Sequence, residues 1–421
     1  MITSSTSYLS AARDYSGVTA TGRAMHFRNS LRSEIRNPVI FVWGFDPYTS
    51  EYTDKQILSL LNGEDQRLGE PGARLLDTLI AAGHDVLVLL PDNSATFLQA
   101  NALLLIRLLD TIYEQYPAAG PNTIVGLSAG GVITRWALLH IEDHLPREHQ
   151  RTVRYLSFDT PHRGANVPPG IQYFLNNLNA CVRGANSVLR NVPLLGGAIE
   201  RALDGIVKEK VDLVNSIAAR QLASHHYGLD TFRPGSNPGP DPLRQQLLNE
   251  LGGRWPRGIA RYAISNGSGV GTPQAIAPGE VILWIPNTLC FRTMPKNWEE
   301  CQLVSFGAER PALAWAWIWK GLYPLDSAAG GTGNFWQQTN NALNFLRLLP
   351  AVPELCFVPT TSALDCADDI WYQAPTTPEG AANRHWDDWY FPHHNEAHVK
   401  LTRPITQFIA DRVGRAASAG A

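Results

Sequence analysis

The stretch TIVGLSAGGVITRWALLHI, residues 123–141, gives the clearest indication of the fold. It opens with an apolar run typical of a buried strand and continues with apolar side chains at helical spacing. Between the two lies Gly126-Leu127-Ser128-Ala129-Gly130, a G-x-S-x-G pattern whose small residues allow a strand and a helix to meet at a sharp turn. The turn lifts the Ser128 hydroxyl clear of the backbone at the helix N-terminus. We therefore predict that Ser128 is a nucleophile and that the Ala129 N–H donates to a developing oxyanion.

Apolar strands and amphipathic helices alternate on both sides of this turn. Strands are predicted at residues 38–43, 84–90, 154–158, 259–265 and 356–359, and helices at residues 72–82, 94–116, 129–140, 243–251 and 405–413. Residues 91–94 are predicted to cap the second of these helices. Continuous apolar strands are typical of parallel sheets covered on both faces. The order of elements predicts an α/β fold with a mostly parallel, doubly wound sheet and helices on both faces.

The 421 residues are enough for one sheet-based core that carries insertions. We divide the chain into an N-terminal segment, a core in two parts and a helical insertion: residues 1–35, residues 36–168 and 256–415, and residues 169–255. The helical insertion is predicted to lie like a lid over the carboxyl edge of the sheet. A second insertion, at residues 270–350, contains strand-like pieces and a glycine-rich loop at residues 330–333.

Composition argues against several classes of partner. The formal net charge is −3 and Lys and Arg form no basic stripe, so electrostatics gives no reason to expect nucleic acid or an anionic membrane. No apolar run approaches the about 20 residues of a membrane span, and residues 1–17 lack the pattern of a secretory signal. Cys290 and Cys301 could form a disulfide in an oxidising compartment. The sequence indicates neither the compartment nor the oligomeric state.

A serine hydroxyl becomes a good nucleophile only when a base removes its proton, and the C-terminal region offers several histidines. His393, His394 and His398 lie close together, and His385 is further back. We favour His398 as the base because it comes just before the last predicted helix, with His394 as the next choice. His162, which follows the strand after the elbow, is interpreted as a structural histidine that lines the site.

Two carboxylates are candidates for the group that orients the base. Asp159 ends the predicted strand at residues 154–158, and Asp365 closes the segment at residues 357–365. The residues alone leave both open. Glu354, Asp368 and Asp369 are weaker candidates, for which a place on the surface is the simpler interpretation.

A second oxyanion donor is expected in the turn after the first predicted core strand, Gly44-Phe45-Asp46-Pro47. We predict that the Phe45 N–H is this donor.

Four segments together resemble the lipase and esterase families of the α/β-hydrolase superfamily: Gly44–Pro47 (GFDP), Ser157–Asn166 (SFDTPHRGAN), Ile264–Gly269 (ISNGSG) and Val358–Leu364 (VPTTSAL). More closely, the ordered set is similar to a group of bacterial hydrolases that are similar in turn to GPI-inositol-deacylase-like lipases. The resemblance spans about residues 36–405 and implies an α/β-hydrolase fold with a serine nucleophile. The chain departs from the family at Trp43, where lipases place a histidine, and at Leu355, where many lipases place the acid.

The resemblance also implies which carboxylate orients the base. Some lipases, the pancreatic type among them, take the acid from the end of the strand that follows the elbow. Phe158-Asp159-Thr160-Pro161 looks like that arrangement, so Asp159 is favoured and Asp365 is the alternative acid.

These residues predict an enzyme that hydrolyses carboxylic esters through an acyl-enzyme on Ser128, with a small-molecule, hydrophobic acyl or polyester substrate. A serine amidase or thioesterase would use the same triad, and a non-catalytic binding module on a hydrolase scaffold is the non-enzyme alternative. A metallohydrolase is disfavoured because the run HNEAH, residues 394–398, fits neither H-E-x-x-H nor H-x-x-E-H. We expect no metal and no other cofactor. A calcium ion near Asp365 is only weakly indicated.

Overall fold

A computed structural model describes most of the predicted core. The described residues are 2–31, 34–46, 51–64, 69–146, 149, 151–167, 172, 208–226, 240–274, 281–285, 289–292, 325, 328–333, 349–350, 355–366 and 385–414. Most of the helical insertion, Cys301, Glu354, Asp368 and Asp369 lie outside these residues, and so does the side chain of Cys290.

An eight-stranded sheet forms the centre of the molecule. Its strands are β1 (Ile2–Ser10), β2 (Thr21–Asn29), β3 (Val39–Val42), β4 (Val86–Pro91), β5 (Asn122–Leu127), β6 (Thr152–Phe158), β7 (Ala260–Ile264) and β13 (Asp388–Tyr390). The spatial order is β1-β2-β4-β3-β5-β6-β7-β13. The six strands from β4 to β13 run parallel to one another, and β1 and β2 add an antiparallel edge. This sheet, with the elbow after β5, confirms the α/β-hydrolase fold.

Helices cover both faces of the sheet. They are α1 (Asp54–Leu61), α2 (Leu75–Ala81), α3 (Leu98–Gln115), α4 (Ala129–His144), α5 (Ile217–Leu222), α6 (Pro242–Leu251), α7 (Thr360–Ala363) and α8 (Arg403–Gly414). Buried side chains of α3, α4 and α6 pack on Ile40, Val42 and Ile124. Those of α1, α2 and α8 pack on Phe41 and Val125. Alternate residues of one strand thus enter opposite cores, as the period-two geometry of a strand requires.

Local sequence explains where several helices begin and end. Thr53 caps α1 in a reciprocal capping box with Gln56. Asp241 accepts from the N–H of Leu243 at the start of α6, and Gly252 ends that helix in the left-handed conformation that suits glycine. The predicted cap of α3 is wrong, because the helix begins at Leu98, four residues after Ser94, and Phe97 provides no side-chain cap.

Two smaller sheets lie outside the central one. Strands β10 (Gly330–Gly333) and β12 (Leu355–Pro359) pair antiparallel, and β8 (Val281–Ile285) pairs with β9 (Leu289–Arg292) and β11 (Leu349–Pro350). The loop predicted at residues 330–333 is wrong, and the strand predicted at residues 356–359 is present but does not belong to the core sheet. The glycine-rich segment is held as a strand by its pairing with β12, and β12 belongs to this pair instead of the central sheet.

Residues 2–29 contribute two strands to the central sheet, although the core was predicted to begin at residue 36. Within the helical insertion, residues 208–214 are helical and α5 follows them. Whether the insertion acts as a lid stays a prediction. Among the described helices, none combines the length and the apolar character that crossing a bilayer would require.

Candidate active site

Ser128 occupies a strained turn between β5 and α4. Its φ of 53° and ψ of −126° lie in a region that non-glycine residues rarely adopt. The backbones crowd together at this turn, and a glycine allows it: a Cβ on Gly130 would lie 2.0 Å from the carbonyl oxygen of Val42. The Ser128 N–H donates to the Phe158 carbonyl over 2.9 Å, which ties the elbow to the end of β6.

His398 lies beside Ser128, on the loop between β13 and α8. Its Nε2 is 2.8 Å from Ser128 Oγ. The loop is held to β10, because the Thr332 N–H donates to the Glu396 carbonyl over 2.8 Å and the His398 N–H donates to the Thr332 carbonyl over 2.9 Å. The Phe357 ring meets the imidazole edge to face, with 4.9 Å between centroids. These contacts leave the His398 side chain only 14% exposed.

Asp159 lies on the side of the His398 imidazole opposite Ser128. It follows β6 in a left-handed conformation (φ 46°), and its side chain is fully buried. Its Oδ2 lies 2.7 Å from His398 Nδ1, and its Oδ1 accepts from the Asn266 N–H over 3.0 Å. A Cβ on Gly331 would approach Asp159 Oδ2 to 2.2 Å, so β10 needs a glycine at this position to pass the carboxylate.

The hydrogen bonds assign the proton on the imidazole. An ionised carboxylate only accepts, so the Nδ1 of His398 carries the proton that it donates to Asp159. In the neutral ring the Nε2 of His398 is then an acceptor, and the Ser128 hydroxyl is the donor that faces it. The arrangement can therefore take a proton from Ser128 and hold it between two reaction steps.

The turn after β3 lies against the elbow. A Cβ on Gly44 would lie 2.9 Å from Ser128 Cβ, which places the Gly44 and Phe45 backbone next to Ser128. Trp43, at the position where lipases place a histidine, donates its indole N–H to Asp46 over 3.3 Å. The Asp46 N–H in turn donates to Ser94 Oγ over 3.0 Å. Both contacts hold the turn that presents the Phe45 N–H.

Two N–H groups are available near Ser128. The Phe45 N–H donates to no backbone acceptor in the part of the chain that the structure describes. Ala129 is the first residue of α4, so its N–H has no intrahelical acceptor, and the positive end of the helix dipole lies there. Both groups suit a developing negative charge on a substrate oxygen.

Asp365, the alternative acid, has different partners. Its Oδ2 lies 3.4 Å from Arg135 Nη1 and accepts from the Trp255 indole over 3.1 Å, and its Oδ1 lies 3.1 Å from Arg163 Nε. Arg135 also stacks on Trp255, with 3.9 Å from its guanidinium carbon to the ring centroid. The Asp365 carboxylate is thus satisfied by cations and an indole.

The other predicted histidines lie in different surroundings. His394 is 77% exposed, with its Nε2 3.9 Å from Glu396 Oε1. His393 uses its carbonyl to accept from Ser268 Oγ over 2.8 Å. His162 is buried, and its Nε2 lies 2.8 Å from Ser157 Oγ. Burial holds the pKa of His162 well below the usual range of a histidine, so its ring is neutral at neutral pH. His385 stacks on Trp255.

Sequence reasoning missed three contributors to this site. Asn266 donates its backbone N–H to Asp159, Thr332 pins the His398 loop, and Glu396 anchors that loop through Asn266. The segment ISNGSG contains Asn266 and was available as a signal. No local pattern marks Thr332 or Glu396, because their contacts join segments that are distant in the chain.

Comparison with known proteins shows only distant likeness. The sequence matches no protein-family model, and none of the curated proteins matches it. Among solved structures, esterase Est22 aligns over 42% of this chain and 49% of its own, with 13% identity and a TM-score of 0.27. Est1E from Butyrivibrio proteoclasticus aligns over 37% and 50%, with 13% identity and a TM-score of 0.25. The chain thus spans about half the length of these two esterases.

A fungal esterase from Rhizomucor miehei aligns over 63% of this chain and 65% of its own, with 11% identity and a TM-score of 0.29. These values support no statement about the activity of this chain.

Within the described residues, no group of three or more histidine, cysteine, aspartate or glutamate side chains is arranged to hold a metal ion.

Proposed function

We propose that the protein is a serine hydrolase that cleaves carboxylic esters through an acyl-enzyme on Ser128. The single observation that carries the proposal is the continuous row from Ser128 Oγ through the His398 imidazole to the Asp159 carboxylate, with separations of 2.8 and 2.7 Å. A nucleophile, a base and an orienting acid in this order are the groups that acyl transfer requires.

The first half of the reaction transfers the acyl group to the enzyme. Ser128 Oγ attacks the ester carbonyl carbon, and its proton passes to His398 Nε2. Asp159 stabilises the imidazolium that results and keeps Nδ1 directed at its own carboxylate. The carbonyl oxygen becomes an oxyanion that the Phe45 and Ala129 N–H groups stabilise. The bond between the carbonyl carbon and the alkoxy oxygen then breaks, and the alcohol leaves with the proton from His398.

The second half returns the enzyme to its starting state. Water gives a proton to His398 Nε2 as its oxygen attacks the acyl carbon, and the same two N–H groups hold the second oxyanion. The bond to Ser128 Oγ breaks, the serine recovers its proton and the carboxylic acid is released. A hydrophobic acyl or polyester chain is the substrate class that we propose, because the apolar sequence of the helical insertion is suited to such a chain.

A p-nitrophenyl ester series of increasing acyl length tests the proposal, run beside a p-nitroanilide and a thioester of the same acyl group. We expect turnover of the esters, a covalent fluorophosphonate adduct on Ser128, and a loss of about 10⁶-fold in kcat in Ser128→Ala. Ser157→Ala is the matched control, because it removes the hydroxyl that contacts His162. It should retain activity.

Near-native turnover in folded Ser128→Ala would overturn the nucleophile. A preference for the anilide or the thioester over every ester would replace the ester substrate with an amide or a thioester while leaving the triad in place.

A further inference from the structure

Asn266 lies between the Asp159 carboxylate and residues 396–400, which we call the histidine loop because they contain His398. It follows β7, two residues after Ile264, and its side chain is fully buried. It belongs to the segment ISNGSG, to which the proposed mechanism gives no part. Its backbone and side chain make four hydrogen bonds, one to Asp159 and three to the loop that contains His398.

The backbone of Asn266 contacts both partners of the imidazole. Its N–H donates to Asp159 Oδ1 over 3.0 Å, on the oxygen that His398 does not use. Its carbonyl accepts from the Glu396 N–H over 2.8 Å. One residue therefore fixes the carboxylate on one side and the start of the histidine loop on the other.

The side chain of Asn266 closes the loop. Its Nδ2 donates to Glu396 Oε2 over 3.1 Å and to the Lys400 carbonyl over 3.0 Å. These acceptors lie two residues before and two residues after His398. The loop is thus tied at both ends to the residue that also holds Asp159.

The Glu396 carboxylate depends on the hydrogen bond that the side-chain amide of Asn266 donates to it. The Glu396 side chain is 11% exposed, so its carboxylate has little water to replace a lost donor. Burial raises the pKa of this carboxyl, and the hydrogen bond from Asn266 and the charges of His394 and Lys400 oppose the rise. An acceptor in place of the Asn266 amide would face the Glu396 carboxylate and the Lys400 carbonyl with no donor between them.

We propose that Asn266 is a positioning residue, which sets the distance between Asp159 and His398 by tying the carboxylate and both ends of the histidine loop to one point. The inference rests on the proposed function for its catalytic meaning, since the geometry matters for turnover only if His398 is the base. Substrate does not need to touch Asn266 for this effect.

The test is a double-mutant cycle on Asn266 and Glu396. Asn266→Asp keeps the shape and the backbone N–H but sets two carboxylates against each other. We expect kcat to fall by about 10²-fold with KM little changed, as for a displaced catalytic group. Glu396→Gln should stay within about tenfold of the wild type, because the new amide oxygen still accepts from Asn266. In the double variant the glutamine amide can donate to the new carboxylate, so part of the activity should return, while the Lys400 carbonyl still lacks its donor.

A structural defect alone would give a different result, and Asn62→Asp is the matched control. The buried Asn62 donates its Nδ2 to Asp77 Oδ1 over 2.9 Å, so the variant creates the same clash away from Ser128. It should lower Tm and leave the kcat of the folded protein unchanged. If the Asn266→Asp and Glu396→Gln effects multiply in the double variant, or if Asn62→Asp lowers kcat as much as Asn266→Asp, the proposal is overturned.

A spectroscopic readout separates this proposal from the proposed function. The proton on His398 Nδ1 should give a downfield NMR resonance, as expected for a short hydrogen bond to a carboxylate. It should disappear or move upfield in Asn266→Asp and return in the double variant. An unchanged resonance in Asn266→Asp overturns the positioning role. A wild-type protein that keeps the resonance but shows no esterase activity and no fluorophosphonate adduct contradicts only the proposed function.

Discussion

Two aspartates, each just after an element of this fold, differ mainly in their partners. Asp159 follows β6 and Asp365 follows α7, and both adopt a left-handed backbone conformation, with φ of 46° and 49°. Both carboxylates are largely or fully buried. Asp159 faces an imidazole and a backbone N–H, whereas Asp365 faces two guanidinium groups and an indole.

The difference in partners leads us to expect a chemical role for Asp159 and a structural role for Asp365. A guanidinium stays charged at any pH that the fold meets, so the ion pairs of Asp365 are fixed and suit a structural role. An imidazole changes its charge near neutral pH, so a carboxylate beside it can stabilise that change. Burial and backbone conformation do not distinguish the two aspartates, and only the groups at hydrogen-bond distance do.

The largest expected contrast is between the two histidines that each contact a serine. His398→Ala should lower kcat by about 10⁶-fold, as loss of the base does in a serine hydrolase triad. His162→Ala should retain most activity, because His162 contacts Ser157 and packs on Trp255. Steady-state kinetics on the folded variants tests both. If His162→Ala were the inactive variant, the comparison would be reversed.

Asp365→Asn should act on stability instead of rate. It would leave Arg135, which is 4% exposed, without its charged partner, and breaking a buried ion pair costs about 3–5 kcal/mol. We expect that loss in the free energy of unfolding, measured by denaturant titration, with kcat of the folded protein within about tenfold of the wild type. Asp143→Asn is the control, because Asp143 pairs with the exposed Arg254 and should lose about 1 kcal/mol or less. Equal losses in the two variants would contradict the structural role.

The smallest expected effect concerns Glu396, at the start of the histidine loop. Burial raises its pKa above the ordinary value, so the fold binds this proton more tightly than the unfolded chain does. The contribution of Glu396 to stability is therefore present at low pH and is lost as the pH rises through the pKa of the folded state. Glu396→Gln avoids that loss. Its Tm relative to the wild type should rise between pH 4 and pH 7, by less than about 4 °C.

Other charges face Glu396 and enter the same measurement. His394 and Lys400 on its own loop favour the ionised form, and Asp159 disfavours it. Tyr390 on β13 has a pKa that is raised by burial first and then by Glu396. A Tm difference that falls between pH 4 and pH 7 would show that the cations outweigh burial.

The pattern of apolar residues and glycines predicted the middle strands of the central sheet and the turn at Ser128 well. The elbow and the parallel strands β3 to β7 depend on apolar runs and on glycines next to Ser128, which are visible in a short window. Polar or short segments were missed. The strand β1 is rich in Ser and Thr and largely exposed, and β13 has only three residues, so neither shows a period of buried side chains. The glycines of β10 carry no strand signal and depend on pairing with β12.

Prediction of the candidate site residues needed information from segments that are distant in the sequence. Ser128 was accessible from its own motif and His398 from its place before α8. The choice of Asp159 over Asp365 came from a family resemblance, because residues alone do not show which carboxylate reaches an imidazole 239 positions away in the chain. The catalytic roles of these residues stay a proposal.

The kcat of Asp159→Asn shows whether Asp159 orients the imidazole of His398. The asparagine has the same shape and can still accept from the Asn266 N–H, so the fold should be retained. Its amide would favour the wrong tautomer of His398, and the account predicts a fall in kcat of about 10⁴-fold with little change in Tm. If Asp159→Asn turns over esters at a near-native rate while Asp365→Asn is inactive but folded, the acid is Asp365 and the account is wrong.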